Sequence, residues 1–141
     1  MPTSSAGLAT TQVRVGGRTV EVEVAATPQQ REHGLSDRPS LPADAGMLFD
    51  MGQVVSAVFW MKDMHFPLDF VWIDAERKVV GVTKDAPPQA GVPDSELTLY
   101  RPPSPVRWVL EVNAGAAERL GFATGAQLAF DLPAATPTAA R

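Results

Sequence analysis

Four charged side chains, Arg31, Lys62, Asp69 and Glu111, stand beside or inside apolar runs. An isolated charge is costly there unless it is paired, solvated or put to use. Two kinds of chemistry fit the set. As a polar patch lining a pocket, Arg31 or Lys62 would meet an anionic group while Trp60 or Tyr100 stacks on the rest of a ligand. As paired carboxylates, Asp69 and Glu111 would do acid–base work, provided they face each other at a suitable separation. The alternative to both is an ion-pair network that fixes the register of a core covered on two sides.

A second constellation is soft. Met47, Met51, Met61 and Met64 place four of the five methionines within 18 positions, and His65 follows the last of them. Thioethers with an imidazole suit Cu(I). Methionine is equally an ordinary core filler, and no two of these residues form a diagnostic ligand spacing, so no cofactor is expected. Hydrolytic motifs are missing around His33 and His65, the only imidazoles: neither Gly-x-Ser-x-Gly nor His-Glu-x-x-His surrounds them. Gly16-Gly17 opens no helix and therefore makes no phosphate loop. Without cysteine, thiolate catalysis, disulfides and zinc–sulfur sites are excluded.

The elements that must position these groups are organised around the stretch AVFWMKDMHFPLDFVWID, residues 57–74. Its aromatic surface has to be buried in a chain of this size, so Trp60 is expected inside. Residues 57–61 read as a strand with Phe59 and Met61 on one face and Val58, Trp60 and Lys62 on the other. Pro67 interrupts the run. A second strand from Leu68 sets Leu68, Phe70 and Trp72 on one face and Asp69, Val71 and Ile73 on the other, an odd place for a solvated carboxylate. Lys62 and Asp69 are expected to share one polar patch.

Around this centre the chain reads as strands. Valines alternate about Gly16-Gly17 as a hairpin. Thr27 and Pro28 open a short helix through His33, with Gly34 closing it. Residues 36–45 are irregular, and 46–51 form a short strand. Residues 78–83 return as a hairpin partner of the central strand. Six prolines then break up residues 84–105, a loop long enough to be functional. Its part 97–100 is expected to fold back beside Trp60, as one wall of a pocket that puts Tyr100 near Lys62 or Arg31. A strand over 106–112 sets Trp108 and Leu110 against Val109 and Glu111. Asn113 is placed to cap a helix over 114–120, and 127–132 make a last strand. The expectation is a mainly β (α+β) domain with two short helices, single, compact and mostly antiparallel, barrel-like or strongly curled. It would span 11–132, with a flexible leader (1–10) and a disordered tail (133–141).

A net charge of −4 with no basic cluster argues against nucleic acid, and no apolar run approaches the ~18 residues of a membrane span. The opening MPTSSAGLAT has neither the charged nor the apolar part of a signal peptide, which reads as cytoplasmic. A Ser/Thr/Ala-rich start is also what signal removal leaves, so the compartment and the oligomeric state stay open.

One string of motifs runs through the chain: Arg31-Glu32-His33-Gly34-Leu35, Gly46-Met47-Leu48-Phe49, Phe59-Trp60-Met61-Lys62, Pro67-Leu68-Asp69, Val79-Val80, Tyr100, Leu110-Glu111 with Gly115, and Gly125. In this order and spacing, over roughly residues 12–131, the chain resembles the bacterial and archaeal family known as domain of unknown function 192. It departs from the family at Asp63 and Met64, where Asn-Thr is usual after the lysine. The resemblance implies a fold and no mechanism. Residue chemistry then favours a non-enzymatic domain binding a small molecule or peptide between residues 60–69 and 84–105. A small enzyme using Asp69 and Glu111, and a copper-handling protein using Met47, Met61, Met64 and His65, are the alternatives.

Overall fold

The valine alternation about Gly16-Gly17 forms the expected hairpin. Strands β1 (Thr10–Val15) and β2 (Arg18–Ala25) pair antiparallel, with Val13 opposite Val20 and both side chains buried. The computed structural model describes residues 2–132, so the expected tail lies outside the described residues. The expected leader is different: Thr3 bridges Ala9, the Ser4 hydroxyl donates to Glu23 (2.6 Å), and Leu8 is buried. An apolar side chain in this short segment gives it something to pack, and its backbone gains partners from β2.

Helix α1 (Pro28–His33) follows, then β3 (Ala45–Val55), β4 (Leu68–Ile73), β5 (Val79–Ala86), β6 (Val106–Asn113), α2 (Ala116–Leu120) and β7 (Leu128–Ala129). The seven strands make one sheet in the order β5-β4-β6-β3-β2-β1-β7. Every pairing is antiparallel except β2 with β3, which a crossover carrying α1 makes parallel. The sheet curls until its two edges approach: Lys78 bridges Gln127, and the amides of Val79 and Leu128 donate to the carbonyls of Ala126 and Arg77. The result is a curled half-barrel.

Both faces of the sheet are covered. The first core gathers valines of β1 and β2 with Val71, Ile73, Trp108, Leu110 and Val112, and α2 closes it with Ala116, Ala117 and Leu120. The second gathers Met47 and Phe49 of β3, Leu68, Phe70 and Trp72 of β4, and Val109 of β6 under Leu35, Leu41, Met61 and Met64. Strand β4 is buried at every position, and its alternation splits between the two cores as its sequence implies. Gly46 permits the close approach of β3 to β6, because a Cβ there would stand 2.6 Å from the Glu111 carbonyl oxygen.

Several boundaries differ from expectation. Residues 57–61 form no strand; one bridge, Phe59 with Tyr100, is all the pairing they make among the described residues. Strand β5 runs on to Ala86, three residues into the proline-rich stretch. Helix α2 begins at Ala116 and β7 is two residues long. Asn113 does not cap α2, since its amide donates instead to the carbonyls of Leu41 and Pro42.

Candidate functional site

Thr27 and Gln30 set one wall. The Thr27 hydroxyl accepts from the Gln30 amide (3.1 Å) while the Gln30 side chain accepts from the Thr27 amide (3.2 Å), a reciprocal cap with Pro28 in the first turn. The helix stops at Gly34, where φ is 52° and a Cβ would lie 3.1 Å from the Phe49 ring. Glycine therefore seats the helix end directly on β3. Arg31 fastens the same junction: its Nη1 donates to the carbonyls of Ala26 (2.7 Å) and Asp50 (3.1 Å). That guanidinium nitrogen is engaged with backbone, not with an acid of the expected charge set.

Residues 57–64 form the opposite wall. Phe59 exchanges two backbone hydrogen bonds with Tyr100 (2.9 and 2.8 Å) and turns its ring edge-on to Phe49, at 5.0 Å. Phe59 and Met61 point inward and Val58 and Trp60 outward, but nothing among the described residues covers the outer side. Trp60, expected to be mostly buried, is 39% exposed. The two walls are stitched at one end: the Asp37 amide donates to the Asp63 carbonyl (2.9 Å), and the Ser36 hydroxyl donates to that of Lys62 (3.3 Å).

Between the walls lies a cavity of about 230 Å³. Leu35, Phe49, Met51, Val58, Phe59, Trp60 and Met64 give it apolar sides, and Arg31, Glu32, His33, Ser36 and Lys62 bring polar groups to it. Glu111 reaches it from β6. In register Glu111 stands opposite Met47 and Phe70, on the face of the second core, and it is 5% exposed. Burial alone pushes its carboxyl up to about 8, so at neutral pH it holds a proton. No hydrogen bond or ion pair to another side chain or amide satisfies that carboxyl among the described residues.

The other buried carboxylate is elsewhere. Asp69 is 0% exposed and accepts from three amides, those of Asp85 (2.9 Å), Gly115 (3.0 Å) and Ala117 (3.1 Å). It thereby caps α2, the role expected of Asn113. Cross-strand partners share a face, and Asp69 pairs with Val112 of the first core while Glu111 pairs with Phe70 of the second. The two carboxylates consequently project to opposite sides of the sheet and do not face each other.

Lys62 does not join Asp69 either. Its Nζ pairs with Asp94 (2.8 Å), whose hydrogen bond raises the ammonium's pKa, and it lies over the Trp60 ring at 5.4 Å. Tyr100 packs on Phe70, with centroids 5.2 Å apart, and lines no part of the cavity. The proline-rich loop folds back through Leu97 and Tyr100 as expected, yet it braces residues 58–60 from behind instead of walling the cavity. Met47, Met61 and Met64 are buried in the second core, whereas the His65 imidazole is exposed and turned to Asp37 (3.7 Å).

Of the residues singled out as ligand-binding in the sequence, the structure brings Arg31, Trp60, Lys62 and Glu111 to this cavity; Met51 and Met64 were singled out only as soft ligands, and Phe49 and the turn after α1 were not singled out. The signal for the lining lay in the motif string, because Arg31 to Leu35, Phe49, then Phe59, Trp60 and Lys62, and Glu111 come from four separate motifs and converge here.

A family model described as "DUF192: Uncharacterized ACR, COG1430" matches residues 11–130. Among solved structures, a "putative transcription regulator" from Sinorhizobium meliloti 1021 is 35% identical, covers 87% of this chain and 95% of its own, and superposes with a TM-score of 0.78. A protein of unknown function from Novosphingobium aromaticivorans DSM 12444 is 28% identical, with 89% and 88% covered and a TM-score of 0.75. A search of curated proteins gives no match.

Proposed function

The chain belongs to the DUF192 family, and on that premise we propose that it is a non-enzymatic binding domain whose ligand enters the cavity between α1 and residues 57–64. The ligand is a small molecule or a single side chain of a peptide. One observation carries the reading: Glu111, 5% exposed and without a hydrogen-bond partner among the described residues, stands at a cavity with aromatic and aliphatic walls. Buried polar groups are normally satisfied, and one left open at a cavity can be satisfied by a ligand that supplies the partner. Asp69 gives the contrast, since its oxygens are already committed to backbone. With Asp69 on the other side of the sheet, Asp69 and Glu111 cannot act as a pair in two-acid catalysis.

The name of the Sinorhizobium meliloti relative is not carried over to this chain. Nucleic-acid recognition relies on a basic face, and here Arg38, Arg107, Arg119 and Lys84 are each paired with an acid.

A thermal-shift screen of small molecules and short peptides tests the reading. A ligand at a hundredfold its dissociation constant adds about 2.7 kcal/mol to stability. Hits are expected to disappear in Trp60→Ala, which keeps the fold because Trp60 is largely outside the core, and to weaken in Glu111→Gln. Hits that survive both substitutions bind elsewhere, and they would overturn the assignment.

A further inference from the structure

Resting on that pocket reading, we infer that the group recognised at the floor is a protonated primary amine carried on a short apolar stem. Glu111 shares its cavity with Arg31 and Lys62 but makes no ion pair with either, and burial is the one influence on its carboxyl. It is faced from α1 by Arg31, Glu32 and His33 and from residues 57–64 by Lys62. Its neighbours in register, Met47 on β3 and Phe70 on β4, carry no charge. Arg31 Nη1 is held by two backbone carbonyls and Lys62 by Asp94, and no charged side chain contributes to the state of the Glu111 carboxyl. The charge that would complete an ion pair must come from outside.

The walls point the same way. Phe49, Phe59 and Trp60 line the space of about 230 Å³. Ring faces attract cations and disfavour anions, and Trp60 already carries the Lys62 ammonium on its ring. The cavity volume suits a four- to six-carbon stem. A free alkylamine and a lysine side chain on a partner share this chemistry.

On binding, Glu111 gives its proton to solvent and pairs as a carboxylate with the ammonium, and no covalent bond changes. Below a pKa of about 8, each pH unit should therefore raise amine affinity by about tenfold, levelling off above it.

The test is calorimetric titration of the full chain at pH 6, 7 and 8 with n-butylamine, benzylamine, n-butanol, butyrate and the peptide acetyl-Gly-Lys-Gly-amide. Both free amines are expected to bind with the rising slope and to release close to one proton at pH 6. Glu111→Gln should abolish the slope, while His33→Gln should keep it. Peptide binding equal to or tighter than n-butylamine assigns the source to a protein lysine, and free-amine binding without it assigns a small amine. In a second readout, n-butylamine at pH 7 should move the Glu111 carboxyl carbon resonance to its ionised position. Butyrate binding that weakens as pH rises, without amine binding, would overturn the amine inference and leave the pocket reading standing. No binding by any probe, n-butanol included, would sink both.

Discussion

Asp69 and Glu111 sit one position out of step on neighbouring strands, are both buried residues, and face opposite cores. Asp69 meets three amides, two of them at the start of α2, so its oxygens are satisfied by fixed donors and hold the helix on the sheet. Glu111 accepts no such bond from the described residues, and burial keeps it protonated at neutral pH. A buried carboxylate is thus structural or available for a ligand according to which backbone groups reach it, and burial alone does not distinguish the two.

The largest effect should come from removing the satisfied one. Asp69→Ala strands three amides, that of Ala117 buried and those of Asp85 and Gly115 part-buried, each worth about 1–3 kcal/mol where water cannot replace the partner. Equilibrium urea unfolding is expected to show a loss of about 5 kcal/mol, with Asp69→Asn in between. A loss under about 1 kcal/mol would mean that α2 is held by its apolar face alone.

The tryptophans extend the comparison. Trp72 is buried among Phe59 and Phe70 and donates its indole N–H to Thr83 (2.9 Å). Trp72→Ala should cost about 3–5 kcal/mol. Trp60→Ala, at a half-open wall, should cost about 1 kcal/mol or less. Equal losses would place Trp60 in the core after all.

Glu111 contributes a pH dependence to stability. Its folded-state pKa is raised from 4.5 to about 8, so between these values the folded chain holds a proton that the unfolded chain has lost. The contribution is fully present below pH 4.5 and is lost as pH rises through about 8. Wild-type stability should fall across that window by up to about 1.4 kcal/mol per pH unit. The wild-type minus Glu111→Gln difference in urea midpoint isolates the term, and a flat difference would contradict it.

The smallest effect belongs to the rim. Lys62→Ala removes an exposed ion pair with Asp94 and should leave the unfolding midpoint in place. Amide exchange at residues 97–100 should quicken modestly, since Leu97 and the Phe59–Tyr100 bridge still hold the loop. A large midpoint shift would make this pair part of the core architecture.

Much of the scaffold was legible because strand alternation is local. The split of β4 between two cores, the valine hairpin and the capped α1 all follow from residues within one element. Asp69 and Glu111 stood out as charges on apolar strands, but their opposite orientation depended on the β4–β6 register, which neither strand specifies alone. The outward turn of Trp60 was hidden for a similar reason. Aromatic composition says that the segment must pack, and only the Phe59–Tyr100 bridge decides which alternate side chains go in. The wall from α1 depended on the parallel β2–β3 pairing, which a helix lying between two strands hints at through the crossover it requires.

The central claim, that Glu111 is an unpartnered, proton-holding carboxyl at the cavity, is tested most directly by carbon NMR titration of the chain labelled at its glutamate carboxyl carbons. The Glu111 resonance is identified by its loss in Glu111→Gln. It is expected to titrate near pH 8, apart from the solvent-exposed glutamates. A midpoint below about 5.5, within the spread of ordinary glutamates, would show that the carboxyl is hydrated or paired, and would contradict the account.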